Sequence, residues 1–210
     1  MIATHLKSLS LFATRWIAGA EGRWPGGEPA AGQRIYCANH TSHLDAVLLM
    51  ASLPDRLLEN TRPVAAAEYW SSGKFRRYLT ERVFRTVLIE RGGSTLNPLG
   101  PAFQALRQGD SLIFFPEGTR GSGESLQPLK PGIYCLARAF RQVEIVPVWI
   151  ENASRVLPKR AVLPAPALCA LHFGAPLSWD GQEDASEFLL RMRTAMEALR
   201  RPDRETCGRQ

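Results

Sequence analysis

Short apolar runs rich in β-branched or aromatic residues recur at Arg34–Ala38, Pro63–Ala67, Thr86–Ile89, Leu112–Phe115 and Glu144–Ile150, and each predicts a strand. Ala167–Phe173 predicts one more. Between and after them, apolar positions fall at helical spacing over His43–Leu53, Gly73–Phe84, Leu99–Gln108, Gly132–Arg141 and Asp184–Leu199. Strands alternating with helices predict an α/β fold, a single domain whose mostly parallel or mixed central sheet is flanked by helices on both faces.

Ahead of this domain, Leu6, Leu9, Phe12, Trp16 and Ile17 form an apolar stripe, with His5, Lys7 and Arg15 largely between them. This predicts an N-terminal amphipathic helix ending before Gly22. A spanning helix needs roughly 20 predominantly apolar residues, and Arg15 interrupts a shorter segment. The helix therefore lies on a membrane surface or packs on its own domain, without crossing a bilayer. Ala18-Gly19-Ala20 looks like a signal-peptide cleavage site, but Arg15 falls where such a peptide needs an unbroken apolar stretch. Gly22 to Gly32 is rich in Gly and Pro and reads as a linker. The expected division is residues 1–31 for helix and linker and 32–210 for the domain.

Twenty-six Lys and Arg against 20 Asp and Glu give a net charge of +6, which favours an anionic partner. Nucleic acid, a phosphorylated substrate and an anionic membrane all qualify, but no nucleic-acid reader motif is present. Lys74, Arg76, Arg77, Arg82 and Arg85 form a basic run that is either a solvated helix face or an attractor of anionic headgroups. The four cysteines are scattered, which points to a reducing compartment rather than a disulfide framework.

Asn39-His40-Thr41-Ser42-His43-Leu44-Asp45 follows one strand and leads into a helix. Ser42 and Asp45 have capping-box spacing, with Ser42 as the N-cap. With His40 ahead of the helix, the Asp45 carboxylate can also hold its Nδ1–H and leave the far nitrogen to take a proton from an alcohol. Two other chemistries fit the same letters. His40, His43 and Asp45 resemble a metal-ligand cluster, and Cys37, three residues before His40, can be imagined as an acyl-enzyme nucleophile or simply as a buried hydrophobe. His43 is expected to face away from the dyad.

The second segment, Phe115-Pro116-Glu117-Gly118-Thr119-Arg120, follows the strand ending near Phe115, where open α/β sheets place ligand sites. Pro116 stiffens the turn, Gly118 permits a positive φ, and Arg120 can grip a phosphate with two parallel hydrogen bonds. Glu117 is expected to pair with an arginine and brace the turn.

Taken together, NHTSHLD and FPEGTR resemble two blocks of the glycerolipid acyltransferase family. Val87 to Arg91, Leu129 to Gly132 and Val146 to Val148 are similar to its weaker blocks, in the same order. The resemblance implies an O-acyltransferase, peripheral to the cytoplasmic side of a membrane. It would move a fatty acyl group from acyl-CoA or acyl-acyl-carrier protein to a lysophospholipid hydroxyl, foremost 1-acylglycerol 3-phosphate, giving phosphatidate. It implies His40 as base, Asp45 as its orienter, Arg91 and Arg120 as binders of the acceptor phosphate, Glu117, Gly118 and Thr119 as shapers of that site, and Lys130 as added positive charge. It implies no metal and no organic cofactor. Pro147 would mark the fourth block, as an edge-strand or bulge proline. One position departs from the pattern: Arg85 stands where the second block usually opens with Gly, which denies the backbone glycine's freedom and suggests an extra cation near the acceptor.

Overall fold

The computed structural model describes residues 2–25, 27, 32–70, 73–90, 97–123, 125–156 and 168–200. In chain order the elements are α1 (Ile2–Ala18), β1 (Glu21–Arg23), β2 (Arg34–Ala38), α2 (Asp45–Ser52), α3 (Asp55–Leu58), β3 (Thr61–Ala66), α4 (Ala67–Trp70) and α5 (Lys74–Tyr78). A π-helical turn (Leu79–Val83) continues α5, followed by β4 (Val87–Ile89), α6 (Gly100–Arg107), β5 (Ser111–Phe114), α7 (Gly132–Ala139), β6 (Glu144–Ile150), α8 (Ala153–Val156), β7 (Ala170–Phe173) and α9 (Ala185–Ala198). The sheet order is β1-β7-β6-β2-β5-β3-β4, parallel at every step except the antiparallel β6–β7 pair. This is the expected mostly parallel α/β architecture.

Strand alternation divides the core into two layers. Ile35, Cys37, Leu112, Phe114, Ile145 and Trp149 pack against α6, α7 and α9, while Tyr36, Ala38, Ile113, Val146 and Val148 pack against α1 and α2. Both sheet faces are covered, which is why β2 and β5 read as unbroken apolar runs rather than alternating ones. Fully burying a Leu, Ile or Phe contributes about 1.5–3 kcal/mol, so these two layers dominate the stability of the strands that carry the motifs. At the far end of the chain α9 opens with a complete capping box, Asp184 with Glu187.

Strand β1 overlaps the start of the stretch read as linker. Glu-Gly-Arg carries no apolar period, and its pairing with the open edge of β7 makes it a strand. Pro147 sits within interior strand β6, beside the end of the β7 ladder, where its carbonyl accepts from the Gly174 amide at 2.9 Å. A Cβ on Gly174 would fall 2.9 Å from the Pro147 ring, so the pair forms a local break rather than an edge.

Helix α1 packs through the face opposite its aromatic stripe. Leu11 and Ala18 are buried on the α2 layer, whereas Ile2 and Trp16 are each 79% exposed and Leu9 and Phe12 are 63% and 59% exposed. At 100° per residue, Leu9 points roughly 160° away from Leu11. The helix thus packs on its own domain through one face and leaves the aromatic stripe exposed on the other. Arg15, which interrupts the stripe, is a structural link: its Nε donates to the Ala51 carbonyl at 2.6 Å, at the C-terminal turn of α2. No helix among the described residues is long and apolar enough to cross a membrane.

Candidate active site

Strands β2 and β5 run side by side in parallel, with Cys37 opposite Phe114, so the loops leaving their carboxyl ends meet. These loops carry the two motifs. Asn39 anchors the first loop from the other side: its Nδ2 donates to the Ile150 carbonyl at 3.1 Å and its Oδ1 accepts from the Ile150 amide at 2.7 Å. The buried amide side chain thereby extends the β2–β6 pairing by one residue, up to His40.

Asp45 is fully buried, and its Oδ2 accepts from His40 Nδ1 at 2.8 Å, from the Thr41 amide at 2.6 Å and from the Ser42 amide at 2.8 Å. A carboxylate only accepts, so Nδ1 carries the proton and Nε2 is the basic nitrogen. Among the described residues, Oδ1 of Asp45 is buried without a hydrogen-bond partner. The His40 side chain is 23% exposed, and its ring stacks on Phe115 with 4.3 Å between centroids. Imidazole edge accessible, carboxylate buried: this is the arrangement of an oriented base.

The expected Ser42 cap is not formed. The helix starts at Asp45 after Leu44, which has helical dihedrals and no side-chain cap bond, and Ser42 Oγ accepts only a longer bond from the Leu44 amide at 3.3 Å. Asp45 is instead the acceptor for the whole turn.

Glu117 is also buried, and among the described residues it pairs with two backbone amides and not with the arginine expected to brace the turn. Its Oε1 accepts from the His40 amide at 2.7 Å and its Oε2 from the Gln127 amide at 2.8 Å. Burial pushes its carboxyl up, and these two amide bonds oppose that shift. The Gly121 amide donates to the His40 carbonyl at 2.8 Å, so the FPEGTR loop holds both sides of the His40 backbone.

Gly118 has φ +69°, and a Cβ there would lie 2.9 Å from Cδ, Cε and Nζ of Lys130, whose side chain passes over the glycine. The positive φ is what the turn requires of glycine, since the flexible end of Lys130 can move aside. The Lys130 amide donates to the Pro116 carbonyl at 2.8 Å, which ties Lys130 to the motif. Thr119 is exposed and Arg120 half-buried on the same turn. Arg91 lies outside the described residues.

His43 belongs to this neighbourhood. Burial, then the positive charges of Arg120, His40 and Arg76, hold its imidazole below its ordinary pKa. Arg85 does not belong to it. Its backbone takes φ +51°, the conformation glycine favours, at a cost of about 1–2 kcal/mol. Its guanidinium is 3.8 Å from Asp110, the residue before β5, at the opposite end of the strand from the motif. Arg85 thus lies by Asp110 and not on the FPEGTR loop.

Neither competing chemistry assembles. Cys37 is fully buried in the core, which pushes its thiol far up and removes it as a nucleophile. No three His, Cys, Asp or Glu side chains converge as metal ligands among the described residues. The residues that the sequence alone left without a role are Asn39, Phe115, Gly121 and Gln127. Only the strand pairing brings them to His40.

Residues 27–151 match the Acyltransferase family, and the chain belongs to it. The chain is 29% identical over 151 residues to mouse 1-acyl-sn-glycerol-3-phosphate acyltransferase alpha, covering 70% of this chain and 50% of that protein. It is 29% identical over 126 residues to 1-acyl-sn-glycerol-3-phosphate acyltransferase of Helicobacter pylori, covering 60% of this chain and 51% of that protein. The chain thus spans about half the length of these curated relatives. Its fold is similar to the crystal structure of the 1-acyl-sn-glycerophosphate (LPA) acyltransferase PlsC from Thermotoga maritima. The TM-score is 0.73 at 20% identity, over 98% of this chain and 80% of that one.

Proposed function

We propose that this chain transfers a fatty acyl group from acyl-CoA or acyl-acyl-carrier protein to the free hydroxyl of a lysophospholipid, foremost 1-acylglycerol 3-phosphate. The observation that carries this reading is the 2.8 Å contact between His40 Nδ1 and buried Asp45, which leaves Nε2 as the free base beside the FPEGTR loop. Nε2 takes the hydroxyl proton as the alkoxide oxygen attacks the thioester carbonyl carbon. The C–S bond then breaks, and the departing thiolate takes that proton from the imidazolium. Asp45 stabilises the imidazolium between the two steps. A thioester is activated enough that no covalent enzyme intermediate is required.

Arg120, Lys130 and Arg91 are assigned to the acceptor phosphate, with Gly118 and Thr119 shaping the turn that presents it. An arginine bonded to a phosphate is worth about 1.5–3 kcal/mol. Arg120→Ala is therefore expected to raise the acceptor KM by about 10- to 100-fold, with the donor KM nearly unchanged. Steady-state kinetics against each substrate in turn decides the matter, and unaltered acceptor kinetics would remove Arg120 from the site.

The proposed location is the cytoplasmic face of a membrane, approached without spanning it. The exposed Ile2, Leu9, Phe12 and Trp16 stripe of α1 supports this, as do exposed Phe75 and Tyr78 on α5 among exposed Lys74, Arg76 and Arg77. The free thiols of Cys37, Cys135 and Cys169 fit a reducing compartment. The double change Phe12→Glu, Trp16→Glu is expected to weaken sedimentation with anionic phospholipid vesicles at least tenfold while the thermal midpoint holds. Equal vesicle binding would refute the α1 surface.

A further inference from the structure

We infer that Glu117 is a positioning residue for the base, and that the first half of the FPEGTR segment holds His40 rather than the acceptor. This rests on the acyl-transfer reading above and changes the role that the resemblance implies for Glu117.

Three contacts from one loop converge on one residue. The Phe115 ring stacks on the His40 imidazole at 4.3 Å, Glu117 Oε1 accepts from the His40 amide at 2.7 Å, and the Gly121 amide donates to the His40 carbonyl at 2.8 Å. They fix the ring plane and both halves of the backbone. Asp45 then has only the rotation of the imidazole left to set, through Nδ1.

The second carboxylate oxygen is committed as well. Glu117 Oε2 accepts from the Gln127 amide at 2.8 Å, and a Cβ on Gly121 would lie 3.3 Å from that same oxygen. Glu117 is 3% exposed, so neither oxygen is presented to a substrate. A carboxylic acid that contacted the acceptor would need at least one oxygen facing the open side of the turn. That side belongs instead to Thr119, Arg120 and the Lys130 chain crossing Gly118. Burial disfavours the charged form of Glu117, and the bonds from the Gln127 and His40 amides favour it. A buried acid at this position is explained by the two bonds it makes, to His40 and to the Gln127 segment.

Glu117→Gln is the decisive variant, because it keeps the shape but turns an NH2 group toward one of the two amides. With the fold confirmed by circular dichroism and thermal midpoint, kcat is expected to fall by ~10²-fold, the scale for a misplacement of about 1 Å. The acceptor KM should stay within about twofold. A readout independent of turnover accompanies it: the low-field Nδ1 proton of His40, assigned by its absence in His40→Ala, should shift or broaden in Glu117→Gln. A tenfold rise in acceptor KM with kcat and the proton signal unchanged would make Glu117 an acceptor contact and overturn the inference. Loss of the fold in Glu117→Gln would overturn it too, by making Glu117 a residue of general stability. If the wild-type protein transfers no acyl group at all, the functional reading fails, while the proton signal still decides whether Glu117 positions His40.

Discussion

Replacing His40 with alanine is expected to lower acyl transfer by ~10²–10⁴-fold, the range that general base catalysis supplies. The protein should remain folded. The His40 side chain is partly exposed and packs on the Phe115 ring, while Asp45 keeps the Thr41 and Ser42 amides as donors after the imidazole is gone. The expected loss of unfolding free energy is therefore at most about 2 kcal/mol, readable by denaturant titration. Unaltered turnover in this variant would mean that the chain acts as a binding module and not through this dyad.

Asp45→Ala should be worse on both counts, and for a reason the structure makes specific. One oxygen, Oδ2, serves His40 and two backbone amides, so alanine leaves three donors without their acceptor, that of Ser42 buried. Leaving a buried polar group unpaired costs about 1–3 kcal/mol, so the expected destabilisation is several kcal/mol, with activity lost to at least the level of His40→Ala. Asp45→Asn separates the two effects. Its carbonyl can take the Oδ2 position and keep all three bonds, with the NH2 in the place of the unpartnered Oδ1. The fold should then survive while the charge that stabilises the imidazolium is gone. An Asp45→Asn protein with wild-type kcat would show that the charge of Asp45 is not needed for transfer.

The elements that position this site were largely legible in the sequence. The bounds of β2 and β6 match those read from the sequence, because after their charged first residues, Arg34 and Glu144, both strands are buried on two faces and apolar. His40 with Asp45 was legible because the pair is local: five residues on one turn suffice to define it. The roles of Glu117 and Asn39 were not, since each depends on a partner in another strand or loop, and a glutamate in a turn looks equally like an ion-pair member, a substrate contact or a backbone acceptor. Ser42-x-x-Asp45 has the letters of a capping box, but His40 competes for the same carboxylate and the helix begins later. Helix α1 showed its apolar stripe plainly. Which face would meet the domain was decided by Leu11 and Ala18, small enough in number to be hidden by the stronger stripe opposite. Arg85 adopts glycine's conformation despite its side chain, where the anchoring of its carbonyl by Arg62 Nε at 2.8 Å offsets part of the strain.

The proposed roles divide labour within a single loop. Phe115, Glu117 and Gly121 contact His40, and the acceptor's anion is assigned to Arg120 and Lys130. Substitutions in the two groups should therefore separate in kinetics, the first lowering kcat and the second raising the acceptor KM.

The central claim is transfer to an alcohol rather than release of the acyl group to water. The most direct measurement incubates the purified protein with a radiolabelled acyl thioester, carried on CoA or on acyl carrier protein, and vesicles containing 1-acylglycerol 3-phosphate. Labelled lipid and free thiol are then quantified together, with His40→Ala run in parallel. The expected result is labelled phosphatidate formed mole for mole with thiol, and neither product above background in the variant. Thiol released with labelled free fatty acid and no new ester would contradict the account.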